Sequence, residues 1–188
     1  MMKPGEKIRL QREDKKLDLK ETAQRTQLDE KQLARIEAGE VSPSLGTLIK
    51  LARVFGVRLG TFLDDQQETG AVVTRKGENG PTDNMNAAGS QPRENLAFSS
   101  LARQKSDRHM DPFLVEVEPG VEYDTGSSSH EGEEFMYVLQ GSVEVTYGKE
   151  KYELKAGDTI YYDSIVDHKV KAINNEKALL LAVVYLPV

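Results

Sequence analysis

DLKETAQRTQLDEKQLARIEAG, residues 18–39, decides the N-terminal half of the chain. Asp18 is placed to cap a helix, with Glu21 three residues on as the second half of a capping box. Asp29 is placed to cap the next helix. Ala23 falls on the inner side of the first helix, Leu33 and Ile36 on that of the second. Gly39 suits the position just past a helix end. The link Thr26-Gln27-Leu28 is short, so the two helices cross steeply and the later one is free to enter a major groove.

Helical periodicity extends on both sides. Ile8 leads a first helix to about Lys16. Ser44 caps a fourth, with Leu48, Leu51, Ala52 and Phe55 at core spacing, and Gly56 ends it. A short fifth holds Leu59, Phe62 and Leu63. Pro43 is the one proline in residues 5–66. The outer face of the third helix offers Glu30, Lys31, Gln32 and Arg35, whose donors and acceptors match base edges and phosphates. The second helix begins near Asp18–Lys20, where backbone N–H groups and the Lys20 charge favour phosphate. The same periodicity also allows a bundle that only dimerises, with Lys31 and Arg35 as a solvated face.

Residues 67–105 change character. QQETG, KGENGPTDN and AAGSQPREN are rich in linker and turn formers. Ala71–Thr74 and Asn95–Phe98 are expected as short strands at the edge of the next domain. From Pro112 the period becomes two. Phe113, Val115 and Val117 alternate with polar residues. Val143, Val145 and Tyr147 turn at Gly148 into Tyr152 and Leu154. Thr159–Tyr162 follows the Gly157-Asp158 turn, and Leu179–Leu186 is a last apolar strand. Short strands with regular turns predict a β-sandwich or barrel. The fold class is therefore α + β in two domains: residues 1–66 helical, 67–105 a linker with possible edge strands, 106–188 the β-domain.

His130 and Glu134 share parity, so on one strand both point inward. His168 comes after the Gly157-Asp158 turn and one more strand. Two imidazoles and a carboxylate converging inside a barrel form a facial set with open positions, suited to a divalent ion such as Fe, Mn, Ni or Zn. The other reading is a metal-free pocket in which the three residues hydrogen-bond an organic ligand. Tyr161 and Tyr162 alternate faces, and one lines that pocket. His109, beside Arg108, reads as a surface or hinge residue.

The formal net charge is −6, and it is unevenly spread. Residues 1–66 hold 13 Lys+Arg against 11 Asp+Glu, and residues 106–188 hold 7 against 16. Phosphate would repel the C-terminal part and tolerate the N-terminal one. So slight a positive excess puts DNA affinity in placed contacts and dimerisation. There are no cysteines, which excludes disulfides, zinc fingers and thiol chemistry. The sequence shows no apolar run of membrane-spanning length and starts with charge, so a cytoplasmic protein without membrane contact is expected.

GEKIRLQREDKKLDLKETAQRTQLDEKQLARIEAGEVSPSLGTLIKLARVFGVRLGTFL, residues 5–63, resembles the Cro/C1-type (XRE) helix-turn-helix family, most closely at Ile8-Arg9-x-x-Arg12 and at RIEAGEVSPSLGTLIKLA. The resemblance implies that the third helix reads double-stranded DNA with Glu30, Lys31, Gln32 and Arg35. Gln11 and Thr22 stand where the family usually has leucine, and Gln27 where it usually has glycine. SSSHEGEEFMYVLQG (127–141) and LKAGDTIYYDSIVDH (154–168) resemble the two cupin motifs, and LVEVEPGVEYDTG fits a first cupin strand. This implies a jelly-roll barrel, or double-stranded β-helix. The motif positions fall on Ser128, His130, Glu134 and His168. Serine replaces the first histidine, Asp163 a usual proline and Ile165 a usual glycine. The pocket set is Ser128, His130, Glu134, Tyr162 and His168.

The combination resembles helix-turn-helix regulators with a cupin sensor. It implies a sequence-specific transcription regulator, a homodimer on a palindromic operator, and a small-molecule or metal effector. The alternatives are a metal-dependent cupin enzyme of dioxygenase or isomerase type, and a structural DNA-binding dimer with an empty barrel.

Overall fold

The computed structural model describes residues 2–64, 70–76, 83–84, 96–105, 108–120 and 127–187. Five helices come first: α1 (Pro4–Asp14), α2 (Leu19–Thr26), α3 (Glu30–Glu37), α4 (Leu45–Phe55) and α5 (Gly60–Leu63). The caps fall where side-chain chemistry places them. Asp18 accepts from the Glu21 N–H at 2.7 Å, Asp29 from Gln32 at 3.0 Å, and Ser44 from Thr47 at 3.0 Å. Each satisfies an N–H that the helix cannot, for about 1 kcal/mol. The first helix starts at Pro4 and stops at Asp14, short of Lys16.

The α2–α3 connection is short, as the sequence suggested, and runs from Gln27 to Asp29. Gln27 adopts the left-handed conformation, φ 57° and ψ 35°, as the C-cap of α2. The chain thereby turns at once, and the Leu28 N–H still reaches the Ala23 carbonyl at 2.9 Å. Thr22 is fully buried, and its hydroxyl donates to the Asp18 carbonyl at 2.8 Å. A buried polar pair that sequence reasoning missed ties α1 to α3. Arg12 Nε and Nη2 donate to the two Glu37 oxygens at 2.7 and 2.8 Å.

Nine strands follow: β1 (Asp83–Asn84), β2 (Leu96–Ser100), β3 (Met110–Val117), β4 (Glu133–Gln140), β5 (Ser142–Tyr147), β6 (Glu150–Lys155), β7 (Thr159–Asp163), β8 (His168–Ala172) and β9 (Ala178–Tyr185). They form a six-stranded sheet, β1-β2-β3-β9-β4-β7, and a three-stranded one, β6-β5-β8. All pairings are antiparallel. Alternation puts Val117, Val138, Val143, Val145, Leu180 and Ala182 in one apolar core between the sheets. Residues 71–75, expected to include a strand, are not one; Thr74 instead donates its hydroxyl to the Leu101 carbonyl at 2.9 Å. Most of the three linker stretches (residues 65–69, 77–82 and 85–95) lies outside the described residues, as does 121–126 of the first cupin-like segment.

The helices do not stand apart from the barrel. Phe98, Phe113 and Val184 of the sheet share one apolar cluster with Ile8, Leu59, Phe62 and Leu63. Arg108 fastens the junction. Its two Nη atoms hold the Asp64 carboxylate at 2.6 and 2.8 Å, and its Nε donates to Asp111 at 2.7 Å. Arg103 Nε also donates to the Leu63 carbonyl at 2.5 Å. Neighbouring His109 is exposed.

Candidate functional site

α3 presents Glu30, Lys31, Gln32 and Arg35 to solvent while Leu33 and Ile36 hold it to the core. This division follows from the 3.6-residue period, which separates a buried stripe from an exposed one. Arg35 makes only a loose 3.4 Å pair with Glu40, and its side chain is half exposed. Lys20 is exposed in the first turn of α2. The candidate reading residues therefore lie free of the barrel, on the side that α2 and α3 share.

The second candidate site is at the barrel end nearest the helices. Pairing sets Asp111 opposite Val184, Val184 opposite Glu134, and Glu134 opposite Tyr162. That row runs across the buried face of the six-stranded sheet. His130 is not on a strand, contrary to the expectation from parity. It sits in the loop before β4, with its backbone N–H on the Ser164 carbonyl at 3.0 Å. Gly132 makes the loop possible. Its φ is +106°, and a Cβ there would run into the Tyr185 carbonyl. The chain therefore doubles back against β9 and returns His130 to the side of Glu134.

His130, Glu134 and His168 are buried, and one donor atom from each lies within 4.8 Å of the others. Glu134 Oε1 is 2.8 Å from His130 Nε2 and 3.6 Å from His168 Nε2. The outer nitrogens fix the inner ones. His130 Nδ1 is 3.0 Å from the Glu131 carbonyl, and His168 Nδ1 is 2.9 Å from the Val166 carbonyl. A carbonyl only accepts, so each Nδ1 carries its hydrogen. A neutral ring then points a bare Nε2 lone pair at the carboxylate. That arrangement is stable only with a proton or a cation between them.

Tyr162 donates its hydroxyl to Glu134 Oε2 at 2.9 Å and leaves Oε1 to the histidines. The charges shift accordingly. Burial pushes the Glu134 carboxyl up, but the two imidazoles outweigh it and hold it down to about 2. Burial works to lower His168 as well, and Glu134 outweighs it in the raising direction. The Tyr162 hydroxyl is pushed far up by burial and by the carboxylate it bonds. Tyr161 points outward and is exposed.

The donor set fits a divalent ion. Ligands about 2.1 Å from a common metal and 90–120° apart lie roughly 3.0–3.6 Å from each other. The second partner on each imidazole is the usual device that orients a metal-binding histidine. Ser128 is half-buried, and its backbone pairs with His168 in both directions, at 2.8 and 2.9 Å. The hydroxyl of Ser164, fully buried beside the loop, has no hydrogen-bond partner among the described residues.

Two family models match the chain: a helix-turn-helix domain over residues 8–62 and a cupin domain over residues 113–184. The HTH-type transcriptional regulator PuuR of Escherichia coli is 25% identical over 169 residues, covering 88% of this chain and 85% of the relative. The chain carries a helix-turn-helix domain followed by a cupin domain. An uncharacterised protein of Methanocaldococcus jannaschii is 40% identical over 55 residues, 29% of this chain and 44% of its own. Among solved structures, an HTH_3 family transcriptional regulator from Vibrio cholerae superposes with a TM-score of 0.69 at 22% identity, covering 98% of this chain and 95% of that one. Hydroxypropylphosphonic acid epoxidase from S. wedmorenis superposes at 0.50 with 23% identity and 97% of each chain, a likeness of fold alone.

Proposed function

We propose that this chain is a transcriptional regulator that binds a palindromic operator as a homodimer, and that its barrel senses a divalent metal or a small molecule. The observation that supports it is the pairing of an exposed α3 face with a buried, charge-balanced donor cluster in one chain. Glu30, Lys31, Gln32 and Arg35 read base edges, and Lys20 with the start of α2 holds the phosphate backbone. One five-helix unit covers too little DNA for tight specific binding, so two copies are required.

The outer face of the six-stranded sheet supports a dimer through the barrels. Its register lines up Met110, Tyr185 and Glu133, then Pro112, Val183, Phe135 and Tyr161, then Leu114, Leu181 and Tyr137. Met110, Tyr137, Leu139, Tyr161 and Tyr185 are exposed. A soluble sheet ordinarily turns polar side chains outward. On this face Glu133 and Asp163 lie in the end row, so the rows through Val183 and Leu181 offer a second copy an uncharged seat.

We read the barrel as a sensor and not as a catalyst, and the protein as cytoplasmic. Among the described residues no helix is long and apolar enough to cross a membrane. His130, Glu134 and His168 would hold the ion. Tyr162 would keep Glu134 oriented, and Ser128 would border the pocket. The bound ion would supply positive charge and open positions for water or an oxygen-bearing ligand.

Selection from random DNA tests the first half. An enriched two-fold symmetric site should lose about 1–3 kcal/mol of affinity per half-site in Arg35→Ala. Failure to enrich any sequence would sink the DNA reading. Metal content of protein purified without oxygen or chelator tests the second. About one ion per chain, lost in His130→Ala, is expected; none in either protein moves the site to an organic effector. Substrate turnover by the loaded protein, with operator affinity unmoved, would favour the enzyme instead.

A further inference from the structure

Both imidazoles of the donor cluster lie next to a residue that touches α4. His168 is tied through two backbone hydrogen bonds, 2.8 and 2.9 Å, to Ser128. The Ser128 side chain abuts Gly46 in the first turn of α4, where an added Cβ would fall 2.6 Å from Oγ. His130 is followed by Glu131, whose carbonyl faces its Nδ1 at 3.0 Å. The Glu131 carboxylate forms an ion pair with Arg53 on the same helix. Leu45 of α4 and Leu186 beyond β9 border the apolar cluster that the helices and sheet share.

Gly46 is otherwise out of place. Glycine weakens a helix relative to alanine. Its φ is not in the left-handed region, so no backbone conformation demands it. What it supplies is room for Ser128. A histidine at 128 is several atoms longer than serine and, in the rotamer that serine holds, would run into the start of α4. The position that the cupin pattern gives to a ligand is here a contact between domains.

We propose that Ser128 is the seat of α4, and that the helix-turn-helix domain is the cover of the barrel's donor cluster. Exchange of any occupant with solution then requires α4 to lift from Ser128 and Glu131. Because α4 packs on α2, that movement reaches the DNA-reading pair. The cover itself stands on geometry; its use in sensing rests on the effector reading above.

The test uses the full-length chain, stripped of metal with a chelator, and amide hydrogen exchange. Ser128→His and Gly46→Ala disturb the contact from its two sides. Each should speed exchange in residues 44–53 and 127–132 at least tenfold. The β5–β6 hairpin, residues 142–155, should keep its wild-type rates. Gly46→Ala is the sharper variant, because on helix propensity alone it should slow exchange in α4. Wild-type rates in both segments for Gly46→Ala overturn the proposal. They would leave Ser128 as a lost ligand only, and Ser128→His would then only tighten metal binding. If Ser128→His also opens the hairpin, it has unfolded the barrel, and Gly46→Ala decides alone. A second arm loads cobalt(II) and follows its release to chelator. Release at least tenfold faster in Arg53→Glu than in the wild type supports the cover, and equal rates overturn it. A wild-type protein that takes up no cobalt overturns the metal reading, and the exchange result still decides the cover.

Discussion

Gln27 shows how one residue records a turn requirement. It holds a left-handed conformation that L-residues enter at a cost of about 1–2 kcal/mol and that glycine enters freely. Glycine also loses more backbone freedom on folding, which offsets part of that gain. Gln27→Gly should therefore stabilise the helical domain by roughly 0.5–1 kcal/mol, read as a shift in denaturant midpoint. An unchanged or lower midpoint would mean that the Gln27 side chain makes compensating contacts. Glu134 is the opposite case, a residue whose state is set by neighbours far away in sequence. His130 comes from a loop, His168 from the start of β8 and Tyr162 from β7, and together they keep one carboxylate charged inside the barrel. The residue types and their order were legible in the sequence. The doubling-back at Gly132 that brings His130 beside Glu134 was not.

Among the elements, the junction between α5 and β3 is bridged by a cation that holds two carboxylates at once. Arg108 lies between Asp64, just past α5, and Asp111 in β3. Burial pushes both carboxyls above their ordinary values, and Arg108 opposes that push. A group raised in the folded state adds stability below its unfolded value and loses it as pH climbs through its folded one. Arg108→Met removes the opposing charge, so both groups rise further. The variant should be about 3 kcal/mol less stable than the wild type near neutrality, because buried Asp111 and half-buried Asp64 lose their shared partner. Its deficit should be larger at pH 8 than at pH 5. Equal deficits at the two pH values would show that Asp64 and Asp111 gain water when Arg108 goes. Charge patterning in the sequence gave no hint of this fastening, because Asp64 and Arg108 lie 44 positions apart in the chain.

At the scale of the whole molecule, two faces of the described residues lie open to partners. α3 faces solvent on one side, and the apolar outer face of the six-stranded sheet faces it on another. The second is the expected seat of a second copy. Tyr137→Glu sets a charge in the middle of that face without touching the barrel core. By sedimentation the variant should be a monomer, with unchanged circular dichroism and operator affinity at least about 100-fold weaker through loss of the second half-site. A dimer of wild-type affinity would move the interface elsewhere. An interface of ordinary strength buries about 800 Å² per partner, and one central charge without a counterion is enough to disfavour it.

By itself the sequence determined the two domain types, the side-chain caps of α2, α3 and α4, the exposed face of α3, and the His–Glu–His set with its missing fourth member. These are local matters: a period of 3.6 or 2, a cap three residues from its amide, a motif of fixed spacing. Only the tertiary structure decided what Ser128 meets, how Arg12 and Arg108 are spent, and that the barrel's donor end lies under α4. Those contacts join residues far apart in the chain, and their free energy depends on burial and direction. No window of sequence carries either quantity.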